Sequence, residues 1–102
     1  YQALLEKISE RLSHPWALAD IAHLLNISER TVSRQFTQQT GLSFIEWLRR
    51  LRLQYSLELL LQGQSVVDVS LTVGYDSPSA FSTAFKQRIG LSPTQYVAQY
   101  ER

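Results

Sequence analysis

Cysteine is absent from this chain of 102 residues, so disulfides and structural zinc sites of the usual thiolate kind are both excluded, while the redox compartment stays open. Histidine is nearly as scarce. His14 stands before a proline and His23 lies in a short helical pattern, and no Gly-x-Ser-x-Gly motif accompanies either. A hydrolase would need a nucleophile, a base and an orienting acid, and no such set is visible. No catalytic residue, metal or cofactor is therefore expected. The chain also has no run of eighteen apolar residues and no signal-peptide pattern, so it is expected to be soluble where it is made, with no membrane partner. It begins at Tyr1 rather than Met, from which a piece of something longer is expected.

What is present fits one ordinary globular domain or two small lobes sharing a core: 44% of the residues are hydrophobic and 19% charged, and nothing suggests disorder. The net charge is only +1, but it is unevenly spread. Five arginines face one acid, Glu46, between Arg30 and Arg52, whereas Gln54 to Asp76 holds three acids and no base. The positive charge is local.

The longest uninterrupted stretch, Ser43 to Gln62, contains no glycine or proline. Phe44, Leu48, Leu51, Tyr55 and Leu59 fall at helical spacing, and Trp47, Leu53, Leu57 and Leu60 form a second line, so the predicted helix is apolar on more than one side. Such a helix must be covered from two directions. It also carries Arg49, Arg50 and Arg52, which makes it a spine between two packing units as well as a carrier of cations.

Before the spine, Tyr1 to Leu12 reads as an amphipathic helix with Leu5, Ile8 and Leu12 inward, ended by Ser13-His14-Pro15. A short helix from Ala17 to Leu25 places Leu18, Ile21, Ala22 and Leu25 inward. Asn26 then occupies a tight turn. Ser28 is a natural N-cap for a helix to Thr40, with Val32 and Phe36 inside and Gly41 at its end. This outline is a helix-turn-helix. After Gly63 the pattern returns. Leu18-Ala19-Asp20-Ile21-Ala22 matches Val66-Val67-Asp68-Val69-Ser70 at a shift of 48, and Asn26 falls opposite Gly74. With one insertion near Asp76 the shift becomes 49, pairing Ser28, Ser33, Phe36, Gly41, Leu42 and Ser43 with Ser77, Ser82, Phe85, Gly90, Leu91 and Ser92. Ser77-Pro78 and Ser92-Pro93 both read as helix starts.

If Val32 and Phe81 point inward, the outward face of the first copy is Arg30, Arg34 and Thr37, with Ser33 and Gln38 beside it, and that of the second is Ser79, Thr83 and Lys86, flanked by Ser82 and Gln87. Neither face carries a carboxylate. Either one alone reads as the solvated side of an amphipathic helix; duplicated beside a basic spine, the pair suits insertion into major grooves, where Arg bonds guanine edges and Ser, Thr or Gln reach other edges or phosphates. Arg49, Arg50 and Arg52 are the candidate phosphate contacts, together with the helix starts at Ser43 and Ser92 and the neighbouring Lys86, Gln87 and Thr94. The rival reading is a protein-interaction module that uses the same two faces.

The segments Leu18 to Ala22, Ser28 to Arg34, Phe36 to Ser43, Arg52-Leu53, Leu59-Leu60, and above all Val73-Gly74-Tyr75-Asp76-Ser77-Pro78-Ser79-Ala80-Phe81-Ser82 resemble the DNA-binding domain of AraC/XylS-type bacterial transcription regulators. Phe85-Lys86, Gly90-Leu91-Ser92-Pro93 and Tyr96 extend the likeness over nearly the whole chain. The resemblance implies an all-α fold of about seven helices: a first helix-turn-helix lobe (1–42), a central helix (43–62) and a second lobe (63–102). It implies that double-stranded DNA is the partner, with Arg30, Ser33 and Arg34 reading bases in one major groove and Ser79, Ser82 and Thr83 in the next. It further implies an activator or repressor in the bacterial cytoplasm, associated with the nucleoid and contacting RNA polymerase, with a separate effector-binding or dimerisation domain. Three positions depart from the family pattern. Thr83 stands where Arg is frequent, Val97 replaces an Arg that commonly follows the tyrosine, and Ser56 takes a usual alanine position.

Overall fold

The computed structural model describes residues 2–100. These form seven helices: α1 (Gln2–Glu10), α2 (Leu18–Leu25), α3 (Glu29–Thr40), α4 (Phe44–Leu61), α5 (Val66–Thr72), α6 (Pro78–Ile89) and α7 (Pro93–Tyr100), with no strand among the described residues. None of these helices is long and apolar enough to cross a membrane. Most begin at a side-chain cap, which supplies an acceptor to an amide that has no partner within the helix. Ser28, Ser65 and Ser77 each accept from the third amide onward, those of Thr31, Asp68 and Ala80, all at 3.1 Å. At Ala17, which has no acceptor of its own, Asp20 reaches back to accept from the Ala17 amide at 2.7 Å. Ser92 and Gln95 cap each other reciprocally, amide to side chain in both directions.

The sequence repeat reappears in the hydrogen bonds. In the α2–α3 turn the amides of Asn26 and Ile27 donate to the carbonyls of His23 and Ala22; 48 positions on, those of Gly74 and Tyr75 donate to Leu71 and Ser70. From there the shift is 49. Gly41 and Gly90 close their helices onto Thr37 and Lys86, both at 2.9 Å, and the Ser43 cap on the Glu46 amide matches that of Ser92 on Gln95. The correspondence runs further than the sequence match, into the aromatic packing. Phe36 meets Trp47 edge-on at 5.3 Å between ring centres, and Phe85 meets Tyr96 edge-on at 5.7 Å, again 49 positions apart. The start of α4 is thus the counterpart of α7.

Two compact units result, and their borders differ from the divisions expected at 42 and 62. One unit is His14–Leu51; the other joins the residues up to Ser13 with those from Arg52 on. The long helix is shared between them, and α1 belongs with the second copy, not the first. In the unit from His14 to Leu51, α2 packs on α3, and the core is Ile21, Ala22, Val32, Phe36, Phe44, Trp47, Leu48 and Leu51. Phe36, Phe44 and Trp47 form its aromatic centre. In the other unit α6 packs on α5 and α7, around Ile8, Leu12, Leu53, Leu60, Val69, Val73, Phe81 and Phe85. Ser56 and Ser70 are fully buried there, each donating its hydroxyl to the carbonyl three residues back in its own helix. That local bond is how a serine satisfies itself at a position suited to alanine. One inner-face expectation fails: Leu25 is 44% exposed. It is the last residue of α2, and the chain turns at Asn26 (φ +56°) before another turn of helix can cover it. Tyr55, Leu57 and Leu59 on α4 are half-buried.

Candidate nucleic-acid interface

Arg30, Ser33, Arg34 and Thr37 occupy positions i, i+3, i+4 and i+7 of α3, and all four are exposed while Val32 and Phe36 are buried behind them. On α6 the equivalent positions, each 49 residues later, are Ser79, Ser82, Thr83 and Lys86, in front of the fully buried Phe81 and Phe85. Ser79, Thr83 and Lys86 are exposed, and Ser82 is half-buried. Each face is therefore set by its own core: the phenylalanines fix the rotation of the helix, and the polar residues face out by periodicity. The first face carries two guanidinium groups and the second a single ammonium. Thr37 has one restriction, because its hydroxyl donates to the Ser33 carbonyl at 3.0 Å, leaving its lone pairs and its methyl group to face a partner.

The candidate phosphate contacts divide. Arg49 and Arg50 are exposed on α4 and lie 3.8 and 3.5 Å from the carboxylate of Glu46, one turn back. Exposed pairs of this kind hold a side chain only weakly, so either guanidinium is available to a competing anion. Ser43 and Ser92 use their hydroxyls as caps, and Glu46 already places a carboxylate in the first turn of α4. Lys86, Gln87 and Thr94 are exposed. Arg88, outside the expected set, lies two residues after Lys86 in the last turn of α6 and is also exposed.

Arg52 stands apart from Arg49 and Arg50. Its side chain is half-buried and donates to the Leu12 carbonyl at 3.4 Å, and it lies against the backbone of Gly74. Burial pushes its pKa below the ordinary value, against an opposing pull from Tyr75. Periodicity put Arg52 beside Arg49 and Arg50 on one helix, but the three do not share an environment.

Two successive helix-turn-helix motifs with matching backbone hydrogen bonds in their turns, each with a polar second helix, define a duplicated helix-turn-helix protein. The helix-turn-helix domain family matches over residues 21–99, and the chain belongs to its AraC/XylS type. It is 41% identical over 83 residues, 81% of its length, to the HTH-type transcriptional regulator NimR of Escherichia coli K12, of which it covers 30%. Among solved structures it is similar to the C-terminal domain of AraT, a response regulator from Geobacillus stearothermophilus, with a TM-score of 0.89 and 34% identity over 99% of this chain and 85% of that one. It is also similar to the DNA-binding domain of AdpA, a global transcriptional factor, in complex with a target DNA, with a TM-score of 0.88 and 29% identity over 97% of this chain and 90% of that one. The chain spans between 24% and 36% of the length of three curated regulators that it matches.

Proposed function

We propose that this chain binds double-stranded DNA sequence-specifically, as the DNA-binding part of a bacterial transcription regulator, with α3 and α6 entering successive major grooves. The observation that carries the reading is the matched pair of exposed, carboxylate-free faces on the second helices of two helix-turn-helix motifs. In this reading Arg30 and Arg34 bond base edges, guanine by preference because a guanidinium can satisfy both its O6 and N7, and Ser33 and Thr37 complete the first contact. Ser79, Ser82 and Thr83 read the second groove with shorter side chains. Without an Arg at Thr83, the second groove contributes less base discrimination than the first. Arg49, Arg50, Lys86, Gln87 and Thr94, with the helix starts at Ser43 and Ser92, hold phosphates. Glu46 costs the Ser43 end part of its attraction for an anion.

The whole regulator, of which relatives are about three times as long, has room for an effector-binding or dimerisation domain, and RNA polymerase is its proposed protein partner. Its place of action would be the cytoplasm, at the nucleoid. The test is selection of bound sequences from a random duplex pool, followed by a salt series on the winner. The expected result is two preferred segments about 10 base pairs apart and an affinity that falls steeply with salt. A flat salt response with no enriched sequence would favour the protein-interaction reading instead.

A further inference from the structure

Besides the residue inserted near Asp76, the two turns of the repeat differ at their left-handed position. In the first, the left-handed position is held by Asn26, a residue with a Cβ. In the second it is Gly74 (φ +98°), and a Cβ placed there would lie 2.9 Å from Arg52 Nε, 3.1 Å from Arg52 Cζ and 2.9 Å from the Leu12 carbonyl oxygen. The guanidinium of Arg52 thus rests directly on the turn, while its Nη2 donates to that same Leu12 carbonyl at the end of the α1 segment. The next residue, Tyr75, places its ring 5.5 Å from that of Phe81, the fully buried residue that fixes the rotation of α6. A planar group, a carbonyl 40 residues away and the turn backbone form one stack, which leads through Tyr75 and Phe81 to the polar face of α6.

We infer that Arg52 is a positioning residue for the second recognition helix: it clamps the α5–α6 turn against Leu12 and so sets the angle at which Ser79, Ser82 and Thr83 are presented. In the first copy the corresponding turn residue, Asn26, is exposed. This rests on the DNA reading of α6, so the clamp is tested both with DNA and without it. Short side chains on α6 give the reason for the clamp's placement, since Ser and Thr cannot adjust their reach as Arg can, and a small rotation of the helix removes them from a base edge. A guanidinium suits the task because it is flat and lies on the backbone with donors at its rim. An ammonium of the same charge can donate but has no flat face to lay on the turn.

Arg52→Lys and Arg52→Gln are compared with wild type in two measurements. In free protein, amide hydrogen exchange is expected to speed up at residues 74–81 in both variants while residues 26–32 are unchanged. On duplexes with either segment altered, both variants are expected to lose roughly tenfold in discrimination at the α6 segment, to keep that at the α3 segment, and to retain the wild-type salt slope. Unchanged exchange at residues 74–81 overturns the clamp. Faster exchange with intact discrimination at the α6 segment overturns its positioning role, and so does full rescue by Lys, which would make charge the operative property. A salt slope lower by about one would return Arg52 to the phosphate contacts. Wild-type protein that shows no sequence preference refutes the DNA reading, and the exchange measurement still decides the clamp.

Discussion

Replacing Gly74 by alanine measures how tightly the second turn is packed, and the protein contains its own controls. Gly41 (φ +74°) and Gly90 (φ +88°) are left-handed like Gly74 (φ +98°), but a Cβ on either would meet nothing within 4 Å. For those two, the left-handed backbone penalty of about 1 to 2 kcal/mol is partly offset by about 0.4 to 1 kcal/mol of reduced freedom in the unfolded chain, leaving a net cost near 1 kcal/mol. Gly74→Ala adds a contact at 2.9 Å with the Leu12 carbonyl, which is backbone and cannot swing away, and another with Arg52. If the guanidinium retreats, its bond to Leu12 goes too, at about 1 kcal/mol or somewhat more for a charged donor. With the shift the α1 end must make, the total comes to about 3 kcal/mol, a large part of the roughly 5 to 15 kcal/mol that holds a domain of this size together. Urea unfolding at 25 °C, followed by far-ultraviolet circular dichroism, gives the three differences directly. If Gly74→Ala unfolds within about 0.5 kcal/mol of Gly41→Ala, the close approach of Arg52 and Leu12 to this turn is refuted.

Truncating Phe85, which is fully buried between Phe81 and Tyr96, is expected to cost about 3 to 5 kcal/mol, and Phe36→Ala a similar amount in the other unit; wild-type thermal stability in both would show the inner faces to be misassigned. Arg34→Ala is expected to cost about 1 to 3 kcal/mol on the preferred duplex and to relax the preference at one base pair, whereas equal loss on all sequences contradicts a base contact. Arg49→Ala is expected to weaken all duplexes alike and lower the salt slope by about one, and an unchanged slope removes it from the phosphate contacts. Its loss should leave folding stability within about 0.5 kcal/mol, because its pair with Glu46 is exposed.

The helix starts at Ser28, Ser77 and Ser92 and the helix ends at Gly41 and Gly90 were legible in the sequence, because each depends on partners three or four residues away, and the repeat was legible by direct comparison of the two halves. Ser28, Ser77 and Ser92 bond amides three positions on, and Gly41 and Gly90 close on carbonyls four positions back. The polar faces of α3 and α6 were legible too, since burying one side of a short helix fixes the other. Tertiary structure alone decided that α1 belongs with the second copy, that Leu25 stays exposed, and that Arg52 turns inward while Arg49 and Arg50 face solvent. Arg52 and Leu12 are 40 residues apart, and no periodicity in either segment encodes the other. The same contact explains why the second turn has glycine where the first has Asn26: local geometry asks only for a residue that tolerates positive φ, and the neighbours that exclude a Cβ arrive from distant parts of the chain.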